Sequence, residues 1–309
     1  MKKTALSLCI FISVSFIGNA QSLAELLGYK KYDKILIINN DDAGMCHASN
    51  VGTIQGMKEG LISSTTIMTP CPWFNEIALF AKNNPELSFG VHLTLTSEWE
   101  HYRWGTVAPR DQVSKLYDKQ GYMWHTVADV YASSMIEEAL IEGRAQINKA
   151  LDSGIPITHI DSHMGTYQYS ADYLNIYLQL AEEFNLPLRM ASQNTLDLMG
   201  VPDFRQRCRE KGLICPDYFI YEEFENYTSE NVEQFWTDYL KNLKPGVTEI
   251  FVHASADSDE IRSITHSAET RVKELAFFTS DAAKELIHKE GITVIGYREL
   301  LNLQRKLKK

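Results

Sequence analysis

Basic charge is in short supply. Thirty lysines and arginines stand against 40 aspartates and glutamates, a formal net charge of −10. A protein that tracks a phosphate backbone needs a basic face, so this balance excludes a generic nucleic-acid binder. The one basic cluster, Arg305, Lys306, Lys308 and Lys309, reads as a solvated tail. Proline (9) and glycine (17) are sparse among 309 residues, which excludes collagen-like and low-complexity chains. Beyond the first twenty residues there is no apolar run long enough to span a bilayer. Cysteine is scarce, five in all, and a chain of this length does not need disulfides to fold. What is present, 44% hydrophobic and 23% charged residues, supports a packed core and excludes a disordered chain. The length allows one or two domains.

Residues 1–20 read as a secretory signal. Lys2 and Lys3 form the positive start, Leu6 to Ile17 the apolar stretch, and Gly18-Asn19-Ala20 places small residues at the cleavage positions. The apolar run is too short for a spanning helix, and Cys9 lies inside it rather than just after it, where a lipoprotein cysteine would sit. The expectation is an exported, periplasmic or secreted protein whose mature chain starts at Gln21. Cleavage removes two lysines and no acid, which moves the formal charge to −12. It leaves Cys46, Cys71, Cys208 and Cys215. In an oxidising compartment Cys208 and Cys215 are the plausible local pair, with four free thiols as the equal alternative.

The remainder alternates short apolar runs with helical patterns. Strands are expected at 34–39, 64–68, 87–95, 157–161, 187–191, 249–253 and 292–295. Helices are expected at 48–59, 74–82, 127–151, 170–184, 204–211, 232–243 and 280–289. This alternation predicts parallel βα units, an α/β fold, and one barrel-like (β/α) domain over residues 21–309. Residues 96–125 lack periodicity and hold Trp99, Tyr102, Trp104, Tyr117, Tyr122 and Trp124. They read either as a loop covering a sugar substrate or as a small hydrophobic cluster packing a long loop.

In such folds chemistry gathers where strands end. Here the ends carry Asn39-Asn40-Asp41-Asp42, then His92, then His159-Ile160-Asp161-Ser162-His163, then His253. Singly these are weak signals, since paired aspartates often only cap a turn. Together they suit a hydrolytic metal centre. One Asp and two His leave a coordination position for water or substrate. A second carboxylate can take a proton from that water, and a further His can protonate a leaving amine. Asp41, Asp42, His92, His163 and His253 fill these five roles.

With those residues in view, the sequence resembles the YdjC-like carbohydrate deacetylases, a family that includes chitooligosaccharide and hopanoid-linked deacetylases. The resemblance spans about Lys34 to Leu300. It is carried, in order, by INNDDAGMCHASNVGTIQGMKEGLISSTTIM, GVHLTLT, THIDSH, FVHASADSDEIRS, and RVKEL followed by FFTSD. It implies a distorted (β/α) TIM-like barrel of the polysaccharide-deacetylase type and one divalent metal ion held by Asp42, His92 and His163. Mg or Zn is expected first, and Mn, Co and Ni remain compatible with a mixed nitrogen and oxygen site. The resemblance also implies Asp41 as base, His253 as acid, and Arg189 of PLRMAS as a partner that orients Asp41. Asp161 could hold a ligand histidine in one tautomer. Two departures stand out. Met164, Thr166 and Tyr167 replace the His-rich run common in the family, and Ala43 stands where an aromatic is common.

The function expected is therefore metal-dependent removal of acetyl groups from an acetylated, amino-sugar oligosaccharide. Its rivals are a metal-free glycoside hydrolase on a similar barrel, using a carboxylate pair, and a non-catalytic carbohydrate-binding protein. No nucleic acid and no membrane span enter this reading. Oligomeric state is left open, a homodimer included.

Overall fold

The structure is a computed structural model that describes residues 21–220, 224 and 226–308. The expected signal segment lies outside the described residues. In chain order the elements are α1 (Leu23–Leu26), β1 (Lys34–Ala43), α2 (His47–Glu59), β2 (Ser64–Ile67), α3 (Phe74–Asn83), β3 (Ser88–Leu93), α4 (Val127–Ser133), α5 (Ile136–Asp152), β4 (Ile157–Ser162), α6 (Ala171–Glu183), α7 (Gln193–Leu198), α8 (Phe204–Glu210), β5 (Tyr218–Phe219), α9 (Val232–Lys241), β6 (Gly246–Val252), α10 (Asp259–Ile264), α11 (Ala268–Thr279), α12 (Asp281–Lys289), β7 (Ile292–Val294) and α13 (Tyr297–Leu307).

All strand pairings are parallel, in the order β4-β3-β2-β1-β6-β5. β1 is central. One edge pairs with β6 from Lys34 to Asn40, while the other is shared, with β7 against Lys34–Leu36 and β2 against Asn39–Ala43. A strand covered on both faces needs a continuous apolar run, and Ile35, Leu36, Ile37 and Ile38 are all fully buried. Leu36 and Ile38 join the large core formed with the surrounding helices. Ile35 and Ile37 pack with Val247 against Ala24 of α1 and Tyr297 and Leu300 of α13, which close the end of the sheet where β1 begins.

The expected distorted barrel is a curled sheet that stays open. Beyond β4 only Leu188 continues it, through a single bridge to Ile160, so the strand expected at 187–191 shrinks to one residue. Pro187 has no N–H to extend a ladder. At the other end β5 is two residues long, and no ladder joins it to Leu188 among the described residues. The helix expected at 127–151 is two helices. Ser134 and Met135 are extended between them, which lets α4 lie on the Ser114–Leu116 turn while α5 packs on α6. Sulfur stays unpaired: Cys46, Cys71, Cys208 and Cys215 are all free, so the plausible Cys208–Cys215 bridge is not formed. Burial is the main cause that raises the Cys208 thiol.

Inside the curl, polar residues form a column. Tyr297 stacks on His159 at 3.8 Å and bonds its hydroxyl to Glu249. Glu249 accepts from Arg189 Nε at 2.8 Å. His159 Nε2 meets Asn39 Oδ1 at 3.1 Å, and Asn39 donates to Asp41 at 2.8 Å. This column leads from the closed end of the sheet to the site.

Candidate metal and acid–base site

Consecutive residues of a strand point to opposite faces, so Asp41 and Asp42 should not share a cavity. The structure resolves this with an irregularity. The β1–β2 register shifts between Asn40 and Ala43, and Asp42 adopts a left-handed backbone with φ of 65°. A bulge re-aims side chains, and a strained conformation persists only where its surroundings hold it. Both carboxylates consequently approach His92 Nε2, Asp42 Oδ1 at 3.4 Å and Asp41 Oδ2 at 4.0 Å.

Around Asp42 the expected ligands converge. His163 Nδ1 lies 3.3 Å from its Oδ1, and the donor atoms of Asp42, His92 and His163 all lie within 4.8 Å of one another. Each histidine carries a carboxylate on its other nitrogen. Asp161 Oδ1 is 2.6 Å from His92 Nδ1, and Glu98 places both oxygens 3.0 Å from His163 Nε2. A carboxylate on the far nitrogen is the arrangement that orients metal-ligating histidines. A second cluster, Asp41, His92 and Asp161, also lies within 4.8 Å, but its donor atoms are engaged. Asp41 takes both forks of Arg189 at 2.7 Å, and Asp161 Oδ2 accepts from Thr66 at 2.8 Å.

Asp42 is the exception. It is 1% exposed, yet neither carboxylate oxygen has a hydrogen-bond donor. Arg271 Nη1 sits 2.8 Å from Oδ2, but it too lacks an aligned partner, so this is a contact of charges rather than a directed bond. A buried carboxylate without a directed hydrogen bond, its Oδ1 facing two imidazole nitrogens, fits a divalent cation by both donor type and geometry.

The electrostatics follow from these contacts. Burial opposes ionisation of Asp41, but Arg189 outweighs it and holds the carboxyl far below the ordinary range. Asp42 is likewise held low, against burial, chiefly by Arg271. Burial would lower His92, yet Asp161 and Asp41 push it up to about 10. His163, also opposed by burial, is raised by Glu98 and Asp42 to about 9. His253 goes the other way, to about 4, because burial and Arg271 disfavour its charge.

His253 Nε2 stands 3.9 Å from Asp42 Oδ2 with its side chain 30% exposed. Its backbone N–H donates to Glu274 at 2.7 Å. A cavity of about 260 Å³ opens beside it, lined in part by Tyr227, Phe251 and Arg271. The six expected site residues, Asp41, Asp42, His92, His163, Arg189 and His253, are thus brought together, with Asp161 behind His92. Sequence reasoning missed Glu98, Glu249, Arg271 and Glu274. Arg271 and Glu274 stood inside RVKEL, a motif noticed without a role. Glu98 carried no signal at all.

The aromatic segment forms the small hydrophobic cluster that was one of its two readings. Trp104 and Met123 are buried in a cluster with Met45, Cys46, Met68 and Cys71, and Trp104 Nε1 donates to Thr96 O at 3.0 Å. The Trp99 and Trp104 rings also stand 6.5 and 6.3 Å from that of His163, walling the site.

Known proteins are similar to this chain over most of its length. The family model described as YdjC-like protein matches residues 35–289. A protein named carbohydrate deacetylase from Enterococcus faecalis V583 is 31% identical over 270 residues, covering 87% of this chain and 98% of the relative. Another of that name, from Thermoanaerobacter pseudethanolicus, is 28% identical over 265 residues, 85% and 98%. Among solved structures, a protein from E. faecalis V583 named as a candidate for cellobiose-phosphate cleavage is similar at a TM-score of 0.74 and 30% identity, covering 87% and 99% of the two chains.

Proposed function

The chain belongs to the YdjC-like family, and from that premise we propose that it is a metal-dependent carbohydrate deacetylase that removes acetyl groups from an acetylated amino-sugar oligosaccharide. One observation carries the metal dependence: the buried Asp42 carboxylate has no hydrogen-bond donor and faces His92 Nε2 and His163 Nδ1. Asp42, His92 and His163 would hold a divalent ion, Mg or Zn first, and the chemistry it would supply is Lewis acidity toward an acetyl carbonyl and a lowered pKa for water.

The protein's own groups do the rest. Arg189 fixes the orientation of Asp41 with two parallel bonds and keeps it ionised, ready to accept a proton. The same pairing makes Asp41 a weak base, so the proton must be passed on rather than kept. His253 is neutral at rest and serves as acid toward the leaving amine only after taking up a proton within the cycle. The partly exposed rings of Trp99, Tyr227 and Phe251 suit the apolar faces of sugar rings. The acidic protein surface favours a neutral or amino-sugar substrate over a strongly anionic polysaccharide.

The electrostatics also weigh against a glycosidase. Such an enzyme needs one carboxyl kept protonated as general acid, whereas Asp41 and Asp42 are both held below the ordinary carboxylate range. We place the activity outside the cytoplasm, in a single unit beginning at Gln21, which N-terminal sequencing of the exported protein would show. The decisive experiment is acetate release from acetylated mono- and oligosaccharides by chelated protein with defined metals restored. Turnover should need the metal. Turnover that survives exhaustive chelation sinks the proposal in favour of a glycosidase-like mechanism. Binding without acetate release, metal present, sinks it in favour of a carbohydrate-binding protein.

A further inference from the structure

His92 and His163 are braced alike, but from different places. Asp161, behind His92, belongs to β4 and is held by the sheet. Glu98, behind His163, belongs to the irregular segment 96–125. That segment is tied down immediately around Glu98. Thr96 bridges Trp124, and Ser97 N donates to Trp124 O at 2.8 Å. Ser97 Oγ accepts from Trp104 N at 3.0 Å and from Arg103 Nε at 3.2 Å. The rings of Trp99 and Trp104 then flank the imidazole. His163 needs such support, because it sits past the end of β4 and the next residue, Met164, has a φ of 52°. Its side chain is 4% exposed and that of Glu98 19%.

We infer that Glu98 is the positioning residue for His163, accepting a hydrogen bond from its Nε2–H so that Nδ1 is presented beside Asp42, and that segment 96–125 thereby takes part in metal binding as well as covering the site. The inference rests on the metal-site reading above. An imidazole keeps one tautomer when its far nitrogen has a fixed acceptor. Without the carboxylate the ring is free to turn or to present its other tautomer.

The test uses the full mature chain stripped of metal and titrated with Co(II), read by visible absorption, and with Zn(II), read calorimetrically. Glu98→Ala should weaken both metals about 10- to 100-fold, the usual cost of losing such a partner. Glu98→Gln, which keeps an acceptor oxygen, should restore part of that loss. Glu100→Gln should bind as wild type, because that side chain is 87% exposed. A role only in holding the loop together would lower the melting temperature in chelator and leave metal affinity unchanged. Wild-type protein that takes up no metal overturns the metal-site reading itself. Wild-type protein that binds, with Glu98→Gln and Glu98→Ala binding equally tightly, overturns the Glu98 inference alone.

Discussion

Asp41 and Asp42 are neighbours in sequence and opposites in circumstance. Both oxygens of Asp41 are taken by Arg189, while neither oxygen of Asp42 has a donor. Asp41→Asn should therefore retain metal, since the ligand set is untouched, and lose turnover by roughly 10²- to 10⁴-fold, the range for a general base. Asp42→Asn should lose metal as well as activity. Metal content by elemental analysis and acetate release separate the two, and an Asp41→Asn variant as active as wild type would remove the base assignment. At this scale the residue types were legible, because aspartates and histidines at successive strand ends form a pattern. Glu98 was not, since an acid in an irregular loop has neither period nor spacing. The pairing of Arg189 with Asp41 was suggested only by resemblance, as 148 residues separate them.

Among the elements, the long strands were the most readable, because burial on both faces demands an unbroken apolar run such as that of β1. Helix α11 escaped notice for the complementary reason. Its buried face includes Arg271 and Glu274, so the hydrophobic stripe that marks a helix is interrupted by the site's own charges. The break between α4 and α5 reflects neighbours rather than local propensity, whereas the loss of the strand at 187–191 starts with Pro187, which has no N–H for a ladder. Element packing also sets a testable limit at Gly52 of α2. A Cβ there would lie 2.5 Å from Ser255 Cα and 2.6 Å from Ala254 O, both backbone atoms that cannot swing aside. Gly52→Ala should push α2 away from the chain just beyond His253. We expect a loss of about 1–3 kcal/mol in urea denaturation, as for other overpacked sites, together with reduced turnover. A wild-type unfolding midpoint would show that the two segments yield more easily than their contact indicates.

For the whole molecule, burying so much charge links stability to pH. His92 and His163, raised to about 10 and 9 without metal, have folded pKa values above the ordinary 6.5. Their contribution is complete below about pH 6.5 and is lost as pH rises to 9 and 10. Glu142, Glu249 and Glu274, each raised to about 7 mainly by burial, act in the same direction between about pH 4.5 and 7. Chelated protein should therefore lose stability steadily from pH 6 to pH 10 in chemical denaturation, and a flat profile would contradict the raised values. Metal affinity should rise over the same interval, because the ion must displace the imidazole protons. The sequence by itself determined the α/β class, the central strands and the identities of the acids and histidines, since hydrophobic period and residue chemistry are local properties. Only the tertiary structure decided that the barrel stays open, that a bulge turns both aspartates into one cavity, and that Arg189, Glu98 and Arg271 surround them. Those facts depend on contacts between residues distant in the chain, and such contacts leave no periodic trace in it.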